Sequence, residues 1–264
     1  MIPRFYVPQP LAVGQRISLP EAVANHAVRV LRLQPGDPLV LFNGEGGAYA
    51  GHLLAREENT KEVPSKKQRD SRQSRQTVAD VLLDEFQPDD RASQLRISLW
   101  QGVSAAERMD YTWQKSVELG VYRCVPIETR RCVTRLDAAR AEKRHAHWQG
   151  VIVSAAEQCG LNQLPELLPV QTLTQALAQT AASGVRVMLD PDATESFPVW
   201  LERQQALTDL TILIGPEGGF APEEIVAAKE AGFLCFRLGP RVFRTETAGP
   251  VALAVTQAIA GDLR

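Results

Sequence analysis

The chain has 264 residues, a length that permits one large domain or two of ordinary size. With 44% hydrophobic and 23% charged residues it is typical of a globular protein, and no apolar run approaches the roughly 18–20 residues that span a bilayer. The formal net charge of −2 excludes a strong overall field for nucleic acid but allows local basic patches. The four cysteines form no CxxC pair and the start lacks an apolar signal core, so we expect a protein of the reducing cytoplasm.

Up to about residue 90 the sequence predicts short strands separated by turns. Apolar runs predict strands at 4–7, 38–42, 48–54 and 78–86, and a glycine-rich hairpin signal, NGEGG, occupies residues 43–47. Apolar residues at helical spacing predict one helix over residues 20–31. Residues 1–92 are therefore predicted to form a small β-barrel with one helix.

A polar and basic segment interrupts this pattern at residues 56–77. It holds seven basic and four acidic residues, and Val63 is its one large aliphatic residue. A segment of this composition cannot bury a core, so we predict an excursion between two strands. Two interpretations stay open, a solvated loop without a role and an arm that contacts RNA.

From about residue 95 strands alternate with longer helices. The predicted strands are 95–103, 121–127, 185–189, 210–214 and 233–238, and the predicted helices are 105–119, 137–158, 222–231 and 247–260. This alternation predicts an α/β domain over residues 93–264, with a parallel sheet covered on both faces. Ligands bind such sheets at the carboxyl ends of their strands.

Familiar nucleotide and metal motifs are missing from the sequence. There is no GxxxxGK[ST] phosphate loop, and the GxG at Gly44 has Tyr49 where a dinucleotide motif places its third glycine. His145 and His147 are close in sequence, but a spacing of two on a helix points them in different directions. We therefore expect no metal site.

The first of two chemistry-bearing segments follows the strand that ends at Ile214. The glycines at 215, 218 and 219 would let a ligand approach the backbone closely. Pro222 suits the first turn of the next helix, and the two glutamates after it suit the positive end of that helix. Taken alone, this segment fits a plain connection as well as it fits a binding site.

The second segment begins with a glycine–proline pair at 239–240. A loop containing Arg241, Arg244 and Glu246 leads into a helix that Thr247 could cap, with Pro250 at the third helical position. Two arginines and a glutamate in one such loop favour a functional site over a solvated surface. Together, the two strand-end loops would build a pocket from backbone groups.

These two segments, IGPEGG at 214–219 and LGPRVFRTETA at 238–248, resemble the RsmE family. Members of this family are small-subunit rRNA methyltransferases that modify N3 of a uridine in 16S rRNA. The resemblance extends to PRFYV at 3–7, His26 with VLR at 30–32, FNG at 42–44, QKSVELGV at 114–121 and AAEQCG at 155–160. Three features differ from the family pattern: a long excursion at 56–77, Leu161 in place of an RNA-contacting arginine, and Phe243 in place of leucine.

The resemblance implies a SPOUT domain with a deep trefoil knot, preceded by a PUA-like RNA-binding barrel. It also implies a homodimer that binds S-adenosylmethionine (SAM) in the knot loops and releases S-adenosylhomocysteine, without a metal. The implied partner is 16S rRNA within the 30S subunit. The residues expected to bind the cofactor lie at the strand ends and in the two loops: Leu189, Ile214, Gly215, Pro216, Glu217, Gly218, Gly219, Leu238, Gly239, Arg241, Val242, Phe243 and Thr247.

The implied chemistry is a direct displacement in which uridine N3 attacks the methyl group of a sulfonium. Because N3 carries a proton, a base or an electrostatic stabiliser is needed. The candidates are Arg244, Glu246, Arg241 and Glu157, and the sequence does not rank them.

RNA binding is expected from two basic surfaces, one on each predicted domain. Residues 123–144 hold seven basic and three acidic residues. The candidates for phosphate contacts are Arg4, Arg29, Arg32, Arg131 and Arg135. The alternative is that these are solvated surfaces.

Two other functions are weighed against methylation of 16S rRNA. One is an RNA-binding protein with a vestigial knot and no catalysis, and the intact glycines in both loops argue against it. The other is a SPOUT enzyme that acts on tRNA, and the N-terminal position of the predicted barrel argues against that. The apolar helix predicted at 247–260 favours a dimer, since it carries more apolar surface than a solvent-facing helix requires.

Overall fold

The computed structural model describes residues 2–55, 77–133, 135–179 and 184–263. The chain divides into two compact units, Met1–Arg91 and Ala92–Arg264. Apart from Thr77, the excursion predicted at 56–77 lies outside the described residues. The roles assigned to the two domains stay predictions.

The N-terminal unit is a curled five-stranded sheet that forms a half-barrel, which confirms the predicted barrel-like architecture. Its strands lie in the order β1-β3-β4-β5-β2, with β1 and β3 parallel and the other neighbours antiparallel. Helix α1 (Glu21–Asn25) continues into a π-helical turn (His26–Val30), and both bury an alanine in the core. The strands are β1 (Arg4–Tyr6), β2 (Arg16–Ser18), β3 (Pro38–Phe42), β4 (Ala48–Leu53) and β5 (Asp80–Gln87).

The C-terminal unit is built on a parallel sheet, as the alternating pattern predicted. Its strands lie in the order β12-β10-β11-β6-β7-β8, with β9 also paired to β7, and every pair is parallel. The strands are β6 (Arg96–Gly102), β7 (Arg123–Glu128), β8 (Glu166–Leu167), β9 (Gln171–Thr172), β10 (Val185–Leu189), β11 (Asp209–Ile214) and β12 (Leu234–Phe236). The trefoil knot stays a prediction.

Helices α2 and α3 pack against each other through Trp113 and Trp148, whose rings meet edge to face at 6.3 Å. The Asp137 side chain caps α3, and Gly160 ends it in the left-handed conformation. The helices are α2 (Ala106–Glu118), α3 (Ala138–Cys159), α4 (Leu173–Ala178), α5 (Phe197–Leu201), α6 (Pro222–Glu230) and α7 (Thr245–Ala260). The short helices α4 and α5 were not predicted from the sequence. Within the described ranges, no helix has the length and apolar character to cross a membrane.

The N-cap of helix α7 lies three residues earlier than predicted. Arg244 is its N-cap and Thr245 its first residue, so Thr247 lies inside the first turn and does not cap the helix. The Thr245 hydroxyl donates to a loop carbonyl and accepts from a buried amide, and these bonds hold the first turn in place. Pro250 is therefore the sixth helical residue rather than the third. Proline has no N–H, so the Glu246 carbonyl receives no helical hydrogen bond from this position.

Candidate active site

A cavity of about 410 Å³ lies where the neighbouring strands β10, β11 and β12 end. Its lining comes from residues 189–192 at the end of β10, from a glycine loop (residues 215–221) after β11 and from an arginine loop (residues 238–244) after β12. Parallel α/β sheets bind ligands at the carboxyl ends of their strands. The cavity therefore brings together the two loops that the sequence analysis placed in separate βα units.

Apart from Gly218 and Thr247, all the predicted cofactor-binding residues line this cavity. The candidate catalytic residues Arg241, Arg244 and Glu246 line it as well. Glu157 is half-buried on α3 and is not part of the lining. The structure thus places most of the candidates together, and their individual roles stay predictions.

Gly218 packs closely against Arg131, and its predicted contact with the cofactor stays a prediction. A Cβ at this position would lie 2.9 Å from the Arg131 Cβ and 3.0 Å from the Arg131 carbonyl oxygen. The Arg131 guanidinium also donates to the Gly218 carbonyl at 3.2 Å. A glycine is needed here because the loop between β7 and α3 lies directly on the glycine loop.

The start of the glycine loop is held by buried contacts with β6 and α7. Thr245 Oγ1 donates to the Gly215 carbonyl at 2.7 Å and accepts from Gln101 Nε2 at 2.8 Å. Gly102 leaves room for the loop, since a Cβ there would lie 2.4 Å from the Pro216 nitrogen. These contacts with β6 and the first turn of α7 fix the position of the start of the glycine loop.

The end of the glycine loop is held by Glu224, whose side chain is buried in the first turn of α6. Its two carboxylate oxygens accept from the backbone N–H groups of Ala221 and Arg130, each at 2.8 Å. The sequence analysis assigned Glu224 to the helix dipole alone. In the structure the residue also connects the glycine loop to the loop after β7.

The arginine loop is open by comparison. Arg241 and Arg244 are exposed, and Val242 is 78% exposed although it lines the cavity. Gly239 has a left-handed φ of 75°, and a Cβ added to it would meet no atom within 4 Å. In the described part of the chain, residues 238–243 make no hydrogen bonds.

Arg108 is a cavity-lining residue that the sequence analysis missed. It lies in the first turn of α2, and its Nη1 donates to Glu217 Oε1 at 2.5 Å. Its Nε lies 3.9 Å from Glu246 Oε1. The strand order could have revealed Arg108, because α2 follows β6, and the carboxyl end of β6 lies beside that of β11. Asp190 and Asp192, which directly follow β10, also line the cavity and were not predicted from the sequence.

The predicted RNA-binding arginines belong to both units and differ in their surroundings. In the N-terminal unit the Arg4 guanidinium lies 5.5 Å from the centre of the Phe42 ring, whereas Arg29 and Arg32 are exposed. In the C-terminal unit Arg135 is exposed, and Arg131 lines the cavity. Arg131 therefore lies close enough to the candidate cofactor site to influence it.

The basic count over residues 123–144 overstates the charge of that surface. Arg123 forms an ion pair with Glu166 at 2.7 Å, and Arg130 pairs with Glu223. Both carboxylates come from outside the counted segment, so the count could not include them. Leu161, expected to replace an RNA-contacting arginine, is buried with 6% of its surface exposed.

The structure offers neither a thiol nucleophile nor a metal cluster beside the cavity, within the residues it describes. Cys132, in the loop after β7, lies 3.4 Å from Thr129 Oγ1, and burial raises the pKa of its thiol. A neutral thiol is a poor nucleophile.

Comparison with known proteins identifies the family. Residues 91–257 match the family model of an RNA methyltransferase domain, and residues 19–63 match that of an RNA methyltransferase PUA domain. Ribosomal RNA small subunit methyltransferase E from Buchnera aphidicola is 30% identical over 99% of this chain and 98% of its own length. The chain belongs to the ribosomal RNA small subunit methyltransferase E family. Membership confirms the RsmE resemblance and the predicted enzyme class, an RNA methyltransferase.

Two solved structures share the fold of this family member along its whole length. Ribosomal RNA small subunit methyltransferase E from Neisseria gonorrhoeae, bound to S-adenosyl methionine, is 33% identical, with a TM-score of 0.86 and 100% of both chains covered. A protein from Legionella pneumophila in complex with the cofactor SAM is 34% identical, with a TM-score of 0.87 and the same coverage. The similarity confirms the predicted fold class.

Proposed function

We propose that this family member transfers a methyl group from SAM to N3 of a uridine in 16S rRNA. The observation that carries the proposal is the cavity at the ends of β10, β11 and β12, where most of the predicted cofactor residues converge. Its volume of about 410 Å³ lies within the range of small-molecule sites, about 300–1,000 Å³. Similarity to two SAM-bound proteins over the full chain supports SAM as the methyl donor.

The lining of the cavity fits a cofactor with one apolar end and one charged end. Ile214, Phe220 and Ile225 supply an apolar wall for a flat ring, and the glycine loop supplies backbone groups for hydrogen bonds. Carboxylates and guanidinium groups surround the rest of the cavity, where an amino acid moiety would find partners for both of its charges. When bound, SAM supplies an electrophilic methyl group on a positively charged sulfur.

The residues of the chain must then orient the uracil and manage the proton on its N3. Arg241 and Arg244 lie on the exposed loop, where they can hold the RNA or stabilise negative charge on the uracil. Glu246 is the carboxylate of this group and can accept a proton. Glu157 does not line the cavity, and we propose no direct role for it.

We further propose that 16S rRNA within the 30S subunit is the partner and that the enzyme acts as a homodimer in the cytoplasm. The match to a PUA domain supports an RNA-binding role for the N-terminal unit, with Arg4, Arg29 and Arg32 as phosphate contacts. On α7, Val251 and Val255 keep part of their apolar surface exposed, which a second subunit could cover.

The proposed activity is tested by mapping methylated uridines in cells that lack the gene. Nuclease fragments of 16S rRNA from deleted and complemented strains are compared by mass spectrometry. We expect a single 3-methyluridine to disappear on deletion and to return with the wild-type gene. An unchanged set of modified nucleotides would contradict the proposal and would favour an RNA-binding protein without catalysis.

A further inference from the structure

The glutamates around the cavity differ in how many hydrogen bonds their carboxylates accept. Glu217 accepts from Arg108 at 2.5 Å, and Glu224 accepts from two backbone N–H groups at 2.8 Å. Glu246, the second residue of α7, accepts no hydrogen bond from any described residue. Since buried polar groups in proteins are almost always hydrogen-bonded, this exception calls for a physical explanation.

The position of Glu246 indicates a ligand as its missing partner. Its side chain is only 15% exposed, its Oε2 is buried without a partner in the described residues, and it lines the cavity. Its Oε1 lies 3.9 Å from Arg108 Nε, which is an ion pair but too long for a hydrogen bond. No described residue donates a hydrogen bond to either oxygen, so the carboxylate has acceptor capacity for a ligand N–H in the cavity, and Oε1 is the oxygen that faces Arg108.

The hydrogen bond from Arg108 to Glu217 fixes the guanidinium that pairs with Glu246. The guanidinium is a rigid plane, so the bond from its Nη1 to Glu217 also determines where its Nε points. Glu217 is fixed in turn, because its Oε1 also accepts from the Ala105 N–H at 3.4 Å. Arg108 thus connects the glycine loop to the first turn of α7 across the cavity.

We propose that Glu246 is the catalytic residue that accepts the uridine N3 proton and that Arg108 is the residue that positions it. This inference rests on the proposed function. In the step, the N3 lone pair forms the bond to the methyl carbon, and the carbon–sulfur bond breaks with its electron pair remaining on sulfur. The N3 proton passes to Glu246 Oε1, so the products are 3-methyluridine, S-adenosylhomocysteine and a protonated carboxyl.

The first test measures single-turnover methyl transfer at saturating SAM and RNA. The substrate is 16S rRNA, free or assembled into 30S subunits, whichever the wild-type enzyme methylates. Glu246→Gln keeps the size of the side chain but cannot accept the proton, so the rate should fall about 100-fold. Arg108→Gln should lower the rate roughly 10-fold through misplacement of the carboxylate, and Arg108→Lys should recover part of that loss.

Arg130→Gln is the matched control. It also breaks an arginine–glutamate pair beside the glycine loop, but Arg130 is exposed and does not line the cavity. Its rate should equal that of the wild type. SAM affinity, measured by calorimetry, should stay within about twofold of the wild type in Glu246→Gln if this carboxylate acts on the proton rather than on the cofactor.

Two further measurements separate a chemical role from a structural one. In 16S rRNA transcribed with 5-fluorouridine, the electron-withdrawing fluorine makes N3 more acidic, so transfer depends less on a base. The rates of Glu246→Gln and Arg108→Gln should therefore recover relative to the wild type on this RNA. If Arg108 acts through Glu246, the double variant should be no slower than Glu246→Gln alone.

Additive losses in the double variant, or no recovery on the fluorinated RNA, would overturn the inference while leaving the proposed function intact. So would a large loss of SAM affinity in Glu246→Gln, which would assign the carboxylate to the cofactor. Failure of the wild-type enzyme to form 3-methyluridine would instead contradict the proposed function itself.

Discussion

The two loops that line the cavity differ in how firmly the protein holds them. The glycine loop is fixed at its start by Thr245 and Gly102 and at its end by Glu224. The arginine loop carries exposed side chains, and residues 238–243 make no hydrogen bonds among the described residues. One side of the cavity is therefore preorganised by the fold, whereas the other is available to adjust to a ligand.

This difference suggests a division of labour within the site. A preorganised loop loses little conformational entropy when it binds a small cofactor, so it suits a ligand that must be positioned accurately. An exposed loop with Arg241 and Arg244 suits a large and variable anionic partner such as RNA. Substitutions in the glycine loop and its supports should therefore affect folding and cofactor affinity, and those in the arginine loop should affect ligand binding, above all of RNA, with little effect on folding.

The largest effect is expected for Gly102→Ala. The new Cβ would lie 2.4 Å from the Pro216 nitrogen, and backbone cannot move away as a flexible side chain can. We expect a loss of roughly 3 kcal/mol of stability and no measurable SAM binding by calorimetry. Gly150→Ala is the control, because no atom lies within 4 Å of a Cβ there and alanine favours the helix by up to about 1 kcal/mol. Equal stability and equal SAM binding in the two variants would contradict the rigid support of the glycine loop.

A smaller loss is expected for Thr245→Val, which keeps the shape of the side chain but removes its hydroxyl. The Gly215 carbonyl loses its donor and Gln101 Nε2 loses its acceptor. We expect the free energy of unfolding to fall by about 2 kcal/mol, measured by urea denaturation, with a matching drop in SAM affinity. Thr245→Ser retains the hydroxyl, so its free energy of unfolding and its SAM affinity should fall clearly less. A Thr245→Val protein as stable as the wild type would show that the glycine loop does not depend on this bridge.

Charge reversal of one arginine in each unit should distinguish effects on the cavity from effects on RNA binding alone. Both Arg131→Glu and Arg32→Glu should weaken RNA binding and flatten its logarithmic dependence on salt by about one unit per lost phosphate contact. Arg131→Glu should also change SAM affinity, because Arg131 lines the cavity and donates to Gly218. Arg32 is exposed in the N-terminal unit, and its reversal should leave SAM affinity unchanged. If neither reversal alters RNA binding, the RNA contacts lie elsewhere.

The smallest effect on stability is expected in the arginine loop. Arg241→Gln and Val242→Ala change exposed side chains, so each should shift the free energy of unfolding by no more than about 0.5 kcal/mol. Arg241→Gln should nevertheless weaken RNA binding in filter assays. A loss of stability as large as that of Thr245→Val would remove the distinction between the two loops.

The parts of this site that could be predicted are those that local sequence determines. Alternating strands and helices predicted the parallel sheet, and glycines and arginines after two strands predicted the two loops. Arg108 could not be found in this way, because it meets Glu217 only through the pairing of β6 with β11. The packing contact of Gly218 was missed for the same reason. Its neighbour, Arg131, is 87 positions away along the chain.

The boundary of α7 shows how a tertiary contact can override a local signal. Thr247 is a good capping residue by type, but Thr245, bonded to Gly215 and Gln101, is the first helical residue, and the N-cap lies three residues earlier, at Arg244. The shift also places Glu246 in the first turn, beside Arg108. The wrong helix boundary did not hide Glu246 as a candidate, but it hid the position of this carboxylate beside Arg108.

Amide hydrogen exchange with and without SAM tests the central claim most directly, because it reports on both loops in one experiment. We expect slow exchange in the glycine loop before SAM is added, and a large gain of protection in the arginine loop and the first turn of α7 once SAM is saturating. A protein in which saturating SAM leaves both loops unchanged, or protects only residues far from the ends of β10, β11 and β12, would contradict the placement of the cofactor site.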